Sequence, residues 1–394
     1  MAPGASDRLL TRGFASLLLA QVGFGYAFSS YFLLPKFVVV ALHGGPGEIG
    51  LLTATHNAAV FALMPAMGAL VDRFGRRRFL TAGALLMAAA SLLFTAIDSF
   101  GPAIFVLRAV QALAFAMAFA AGSALAVDEA PPERVAQAIG LFGLTFLSMN
   151  AVAPLVVEEV SARAGWPTAF GLAAAGAILC ALLSLRLRER AVPGGEGELL
   201  PGLVAVATRP SQLRVMVVVA LVGVAFSSIF NFHQPFALEA GIERVRAFFA
   251  AYAVAVIGIR LGLGDWIDRF GRRRSAIAAL GLYVAVALLA SEIPRAGLAV
   301  LGAALGLAHG VFYPAFNAIA IEGAGPSERG KVMALYQAAF QAGGTAGPLA
   351  LGLLAEREGY PPVFFAAAGC LALALVLLVR SPEGKRSPQP EGER

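Results

Sequence analysis

The chain has 394 residues, of which 59% are hydrophobic and 14% charged, and carries a net charge of +6. Soluble domains run at about 45–50% apolar and about 25% charged, so a soluble globular protein is excluded. The positive charge falls in short clusters between apolar runs, which argues against a nucleic-acid surface.

Apolar stretches of about 20 residues, long enough to cross a bilayer as helix, recur along the chain. Twelve are expected, at 13–42, 48–71, 79–97, 101–127, 134–161, 166–185, 211–240, 243–267, 275–291, 296–321, 329–355 and 360–379. They divide into an N-terminal six-helix unit (1–185) and a C-terminal one (211–380), joined by a polar linker (186–210) and followed by a charged tail (381–394) expected to be disordered. Segment 1 is longer than a signal-peptide core and lacks a clear cleavage site. Cys180 and Cys370 both sit inside apolar runs, so no disulfide framework is expected.

One stretch occurs twice. Residues 68–78 read Gly-Ala-Leu-Val-Asp-Arg-Phe-Gly-Arg-Arg-Arg, and residues 264–274 read Gly-Asp-Trp-Ile-Asp-Arg-Phe-Gly-Arg-Arg-Arg. Each lies between two apolar segments. The pattern predicts a helix end at Asp72 or Asp268, a tight turn at Gly75 or Gly271, and arginines that stop re-entry into lipid. The repeat extends further. Ala27-Phe28-Ser29-Ser30 recurs as Ala225-Phe226-Ser227-Ser228, Glu133-Arg134 as Glu328-Arg329, Pro35 as Pro235, and the acid Asp128 as Glu322. Two six-span halves of the same orientation imply a parallel repeat about an axis along the membrane normal. Most of the 30 Lys and Arg residues fall on the side of the two repeated loops, which places the loops, the linker and both termini in the cytoplasm.

The paired Gly-x-x-x-Asp-Arg-x-Gly-Arg-Arg loops resemble the signature loop of the major facilitator superfamily. Arg108-Ala109-Val110-Gln111-Ala112 in segment 4 is similar to that family's Arg-x-x-Gln-Gly motif, with Ala112 in place of the glycine. The Gly-Pro-x-x-Gly-Gly pattern of its proton antiporters is absent from segment 5, which offers Ala153-Pro154. A related run, Gly343 to Pro348, lies in segment 11. The resemblance implies an all-α membrane protein of 12 transmembrane helices in two pseudo-symmetric six-helix bundles, with alternating access to a cavity lined by spans 1, 4, 7 and 10.

On that footing Gly68, Asp72, Arg73, Gly75, Arg76 and Asp128 are expected to latch the cytoplasmic side, Asp72 facing the N-terminus of span 11. Gly264, Asp268, Arg269, Gly271, Arg272 and Glu322 would form a mirrored latch. The bland alternative is that these charges only anchor topology. Arg108 lies seven residues into span 4, at a depth where a charge is costly. It either snorkels to the headgroups or serves as a cavity cation that binds an anionic group or tunes a proton site. Lys36 either snorkels or serves the cavity, and Arg260 is expected to join the inner latch with Asp265 or Asp268.

Other candidate cavity residues are Phe28, Tyr31, Phe32, His56, Asn57, Gln111, Phe115, Phe226, Phe230, Asn231, His233, Gln234, Gln337 and Gln341. His309, Tyr313 and Asn317 share one face of span 10 at i, i+4 and i+8. Gly302, Gly306 and Gly310 form a second row suited to close packing. His309 is either a hydrogen-bonded core residue or a titrating group. No carboxylate is evident in the middle of spans 1, 4, 7 or 10. Metal is not expected, because no second His or carboxylate stands at ligand spacing.

The expected function is a secondary active transporter of a small organic, amphipathic solute in a bacterial inner membrane, working by alternating access in proton-coupled efflux. The alternatives are a uniporter or importer, or a membrane sensor that does not transport. No clustered catalytic set and no phosphate-binding Gly-x-x-x-x-Gly-Lys-Ser/Thr loop is present. The expected partners are the solute, the lipid bilayer and protons. No cofactor and no nucleic acid are expected, and the chain is expected to be a monomer.

Overall fold

A computed structural model of the chain describes residues 10–189, 205–262, 269–293, 297–322, 324–325 and 328–381. Most of the expected linker, the expected tail beyond Ser381, and Gly264, Asp265 and Asp268 lie outside the described residues. No strand occurs among the described residues.

Segment 1 is a helix α1 (Arg12–Ser29), a 3₁₀ turn (Ser30–Leu33) and a helix α2 (Leu34–Leu42). The irregular turn falls just before Pro35, which has no N–H to give to the ladder. There follow α3 (Pro46–Phe74), α4 (Arg76–Phe94), α5 (Pro102–Asp128) and α6 (Val135–Ser184). The second half contains α7 (Pro210–Glu239), α8 (Arg246–Gly262), α9 (Arg272–Ala290), α10 (Leu298–Ala320), α11 (Arg329–Glu358) and α12 (Pro361–Val379). Several of these helices open with proline in the first turn, where the missing N–H is free anyway.

Helix α6 holds two expected spans. Its arms meet at Gly165, whose φ of 82° is open to glycine and strained for other residues. The two motif turns also rest on glycine, at φ 103° for Gly75 and 96° for Gly271. These are the turns that the repeated stretch predicts.

Among the described residues, eight helices are long and apolar enough to cross a membrane, and the bent pair Pro46–Met64 and Ala66–Phe74 makes a ninth. The remaining expected spans are the second arm of α6, α8 and α11. Helix α8 has 17 described residues, and α11 is too polar. Its polarity has a structural reason. Gly343 and Gly347 meet the backbone of α7 at Ala220 and Val224, Gly344 meets Ser227 and Asn57, and Gly352 meets α3 at Pro46 and Gly50. A helix enclosed by protein on several sides needs less apolar surface than one bathed in lipid.

The halves repeat one packing scheme. In the first, α4 packs on α5 and α6, α3 on α5, and α1 on α6; in the second, α9 packs on α10 and α12, α8 on α10, and α7 on α11 and α12. The halves meet through α3 with α11, α6 with α8, and α2 with α7. Large apolar side chains such as Val254 (71% exposed) and Leu261 (72%) cover the outside. Water would not tolerate such a surface, and acyl chains would. Gly302, Gly306 and Gly310 lie against Phe248, Tyr252 and Ile259 of α8, as the glycine row predicts.

A Cβ at Gly302 would meet the Phe248 backbone, whereas one at Gly171 meets nothing. Gly302→Val is therefore expected to destabilise by about 1–3 kcal/mol, read as a lower melting temperature of the purified protein, and Gly171→Ala to leave melting unchanged.

Candidate functional site

The chain's two ends of each bundle are unlike. One end carries the turns at Gly75 and Gly271 and is here called the basic face; the other is the far face. Hydrogen bonds that join the halves among the described residues are made toward the far face.

Their centre is Glu158 on the first arm of α6, 4% exposed. Its carboxylate accepts from Lys36 Nζ at 2.6 Å, from the Val245 N–H at 2.8 Å and from the Arg246 N–H at 3.0 Å. The last two are free donors at the start of α8, where the helix dipole also favours an anion. Lys36 in turn donates to the Glu243 carbonyl, and Arg246 Nη1 donates to Glu159 at 2.6 Å. Lys36 is thus an ion-pair partner and does not snorkel. The sequence reading gave Glu158 no role, although two adjacent acids inside an apolar run are a signal for one.

Below this clasp three polar contacts cross between the halves. Gln234 Nε2 donates to the Phe32 carbonyl at 2.8 Å, Asn57 Nδ2 to the Gly344 carbonyl at 2.7 Å, and Thr53 Oγ1 to Asn231 Oδ1 at 3.2 Å. The repeat-equivalent residues Phe32 and Phe230 meet edge to face at 5.0 Å. Phe28 continues this seam in the first half, stacked on Phe115 at 4.5 Å and near His56 and Phe146. Phe226 continues it in the second, 4.7 Å from the His309 ring. The result is an aromatic ceiling with polar groups set into it.

Arg108 lies beside that ceiling. Its Nη1 donates to Gln111 Oε1 at 2.7 Å, and its carbonyl lies 3.4 Å from His56 Nδ1. No carboxylate pairs with it among the described residues. His309 shares a 2.7 Å hydrogen bond with the Tyr283 hydroxyl, and Gln337 donates to the Tyr313 hydroxyl. Arg260 is exposed at the end of α8, within electrostatic reach of His309, Tyr313 and Tyr252. Asp265 and Asp268, its expected latch partners, lie outside the described residues. Asn317 and Gln341 are half-buried.

Two expected cavity residues lie elsewhere. His233 is fully buried, stacked on Phe248 at 3.7 Å with Nδ1 on the Ile229 carbonyl, so it belongs to the core of the second half. The Tyr31 ring lies between Phe94 and Phe170 inside the first half. Its position in the 3₁₀ turn, outside the regular helical face, explains the difference.

On the basic face Asp72 accepts from Arg76 at 3.0 Å, and Arg76 also pairs with Asp128. These pairs lie within the first half. Helix α3 beyond Asn57 is exposed along one side, and nothing lies within 4 Å of a Cβ built on Gly68. Gly68, expected in the cytoplasmic latch, thus has no neighbouring helix against it among the described residues. Gly264 and Asp268 lie outside the described residues, while Arg269 and Glu322 are exposed.

The arginine next to Arg76 acts differently, and the repeat shows it. Arg77 reaches Glu189 and the Leu187 carbonyl after α6, and its repeat-equivalent Arg273 donates to the Val379 and Ser381 carbonyls at the end of α12. Each motif thus caps the closing helix of its own half. Arg209 and Glu328 form a two-pronged pair at 2.9 and 2.7 Å, which holds the Glu328 carboxyl below the usual carboxylate range.

Among the described residues no group of three or more His, Cys, Asp or Glu is placed to hold a metal ion.

The family model of the Major Facilitator Superfamily matches residues 15–266 and 244–394. The chain is 29% identical over 174 residues to an uncharacterized MFS-type transporter, YhhS, of Salmonella enteritidis, covering 44% of this chain and 43% of YhhS, so the match spans less than half of that relative. It is 27% identical over 315 residues to the multidrug resistance protein MdtG of Enterobacter lignolyticus, covering 77% of this chain and 75% of MdtG. Among solved structures, a variant of the nucleoside transporter NupG superposes with a TM-score of 0.80 at 13% identity, covering 93% of this chain and 98% of NupG.

Removing the Glu158 carboxylate leaves the Val245 and Arg246 N–H groups unpaired. Glu158→Ala is expected to speed amide exchange across residues 242–249 at least about tenfold, since losing one partner of a buried pair costs about 3–5 kcal/mol. Exchange mass spectrometry of wild type and variant reads this directly.

Proposed function

The chain belongs to the major facilitator superfamily, and on that premise we propose that it is a secondary transporter that moves a small organic, amphipathic solute by alternating access. The observation that carries the proposal is one-sided closure. Among the described residues the halves are bonded together toward the far face, and no hydrogen bond joins them at the exposed lower part of α3. A site reached from one face, with aromatic and hydrogen-bonding groups beneath the seal, suits a carrier caught in one half of its cycle.

In this reading the two bundles (1–185 and 211–380), joined by the linker (186–210), rock about the Phe32–Phe230 contact. The clustering of Lys and Arg supports a plasma-membrane protein with cytoplasmic termini, which makes the basic face cytoplasmic and this conformation inward-open. Phe28, Phe32, Phe115 and Phe230 would hold the apolar body of the solute, and Arg108, Gln111, His56, Asn57, His309, Tyr313, Asn317, Gln337 and Gln341 would meet its polar groups. When the far face opens, Asp72 would leave its present setting and meet the free N–H groups at the start of α11, closing the basic face.

Proton-coupled efflux is the direction proposed, supported by the likeness to a multidrug resistance protein. The coupling group would be His309, which already shares a proton-bearing contact with Tyr283. A uniporter is the second reading. It is favoured by the lack of a mid-depth carboxylate in the described spans, since coupled carriers use a buried protonatable group.

A thermal-shift ligand screen on purified protein, followed by flux in proteoliposomes with and without a pH gradient, tests the proposal. Flux that follows the gradient and falls in His309→Gln supports coupling, and flux indifferent to an uncoupler supports the uniporter. Asp72→Asn is expected to slow flux roughly 2- to 20-fold, the scale of a carboxylate at a helix N-terminus, with insertion unchanged. Unaltered flux would refute the basic-face latch.

A further inference from the structure

The charges on the spanning helices are distributed unevenly. Every Asp and Glu on the described helices lies within a few residues of a helix end, apart from Glu158 and Glu159. Those two are engaged by Lys36, Arg246, Arg163 and the start of α8. Among the described residues no unengaged acid is left at the depth of Arg108.

Arg108 itself is incompletely satisfied. A guanidinium presents five N–H donors in a rigid fork. Nη1 is used by Gln111, but Nε is buried and has no partner. One more polar group beside it shares this condition. Gln111 is 1% exposed, and its Nε2 is buried with no neighbour but the Tyr31 hydroxyl, which Ser91 also approaches. The free groups of Arg108 and Gln111 are donors. A cluster of unmatched donors around a cation, in a setting poor in water, is complementary to an oxyanion.

The surroundings supply the rest of the recognition. Phe28 and Phe115 stack nearby and His56 lies against Phe28, so an apolar body would have ring faces to rest on. Arg260, at the end of α8, adds a second positive charge within electrostatic reach of His309 and Tyr313.

We infer that the solute is an organic anion with a single oxyanion head and an aromatic or other flat apolar body, the head being held by Arg108 with Gln111. This deepens the transport reading and rests on it. Glutamine at 111 orients one arm of the guanidinium, which leaves its remaining edge for the ligand. The oxyanion would complete the set of hydrogen bonds that the protein alone leaves unmade.

The test uses three solutes with one body and different heads: 2-naphthoate, 2-naphthamide and 2-naphthylmethylammonium. Each is titrated calorimetrically into the purified full chain at pH 7 against protein-free micelles. The naphthoate is expected to bind at least about tenfold more tightly than the amide, and the ammonium more weakly still. Arg108→Gln is expected to erase the preference for the anion, and Arg108→Lys to keep part of it, since a point charge remains without the fork. The preference is a ratio measured within one protein sample, and the wild-type ratio stands even where a variant folds poorly. Equal or tighter binding of the amide or ammonium, an unchanged preference in Arg108→Gln, or no binding of the anion would overturn the assignment. Flux of the neutral or cationic member in proteoliposomes would leave the transport reading intact while the anion assignment falls.

Discussion

A single carboxylate at the start of a helix in the other half holds this conformation together. Glu158 takes the Val245 and Arg246 N–H groups and the Lys36 ammonium into one buried cluster. Each group would be costly alone in a low-dielectric setting, and each is satisfied by the others. The clasp determines which face of the protein is shut. The crossing hydrogen bonds, the aromatic seam and the glycine-mediated approach of α3 to α11 all lie beneath it.

The same device is what the transport proposal asks of Asp72 on the other face. A carboxylate at the end of one span would meet the free N–H groups at the start of a span in the opposite half. In the present conformation Asp72 is instead occupied with Arg76, and Arg76 with Asp128. On that proposal, one kind of bond at both faces would let the protein exchange one seal for another with little net change in buried charge. Such an exchange is what a carrier needs if neither end state is to become a trap.

Glycine and phenylalanine divide the remaining work. Gly343 and Gly347 bring the α11 backbone against α7 within the second half, and Gly352 brings it against α3 at Pro46 and Gly50, so there the halves touch without interlocking side chains. Phe32 and Phe230 then meet near the pseudo-axis as equivalent residues of the repeat. Ring edges and faces can slide where ion pairs cannot, which suits a pivot. Further into the protein Arg108 keeps its charge without an acid beside it, an arrangement that invites a ligand to complete it.

Much of this was legible in the residues alone. The repeated loop predicted the two halves and the glycine turns at Gly75 and Gly271. Apolar length predicted the spans, and a lone arginine inside span 4 stood out because lipid makes its charge expensive. Periodicity says which residues share a helix face, but not what that face meets. It therefore set His233 and Tyr31 toward the cavity, where packing against Phe248 and between Phe94 and Phe170 holds them in the bundle cores. It likewise could not reveal that Glu158 reaches a helix start 87 residues later, or that Arg77 and Arg273 cap the last helix of each half. The sequence by itself determined the elements, their order and their duplication, because these follow from local hydropathy and turn chemistry. Which groups pair across the halves, and which face is closed, was decided by the tertiary structure, because those contacts depend on how rigid helices are placed in space.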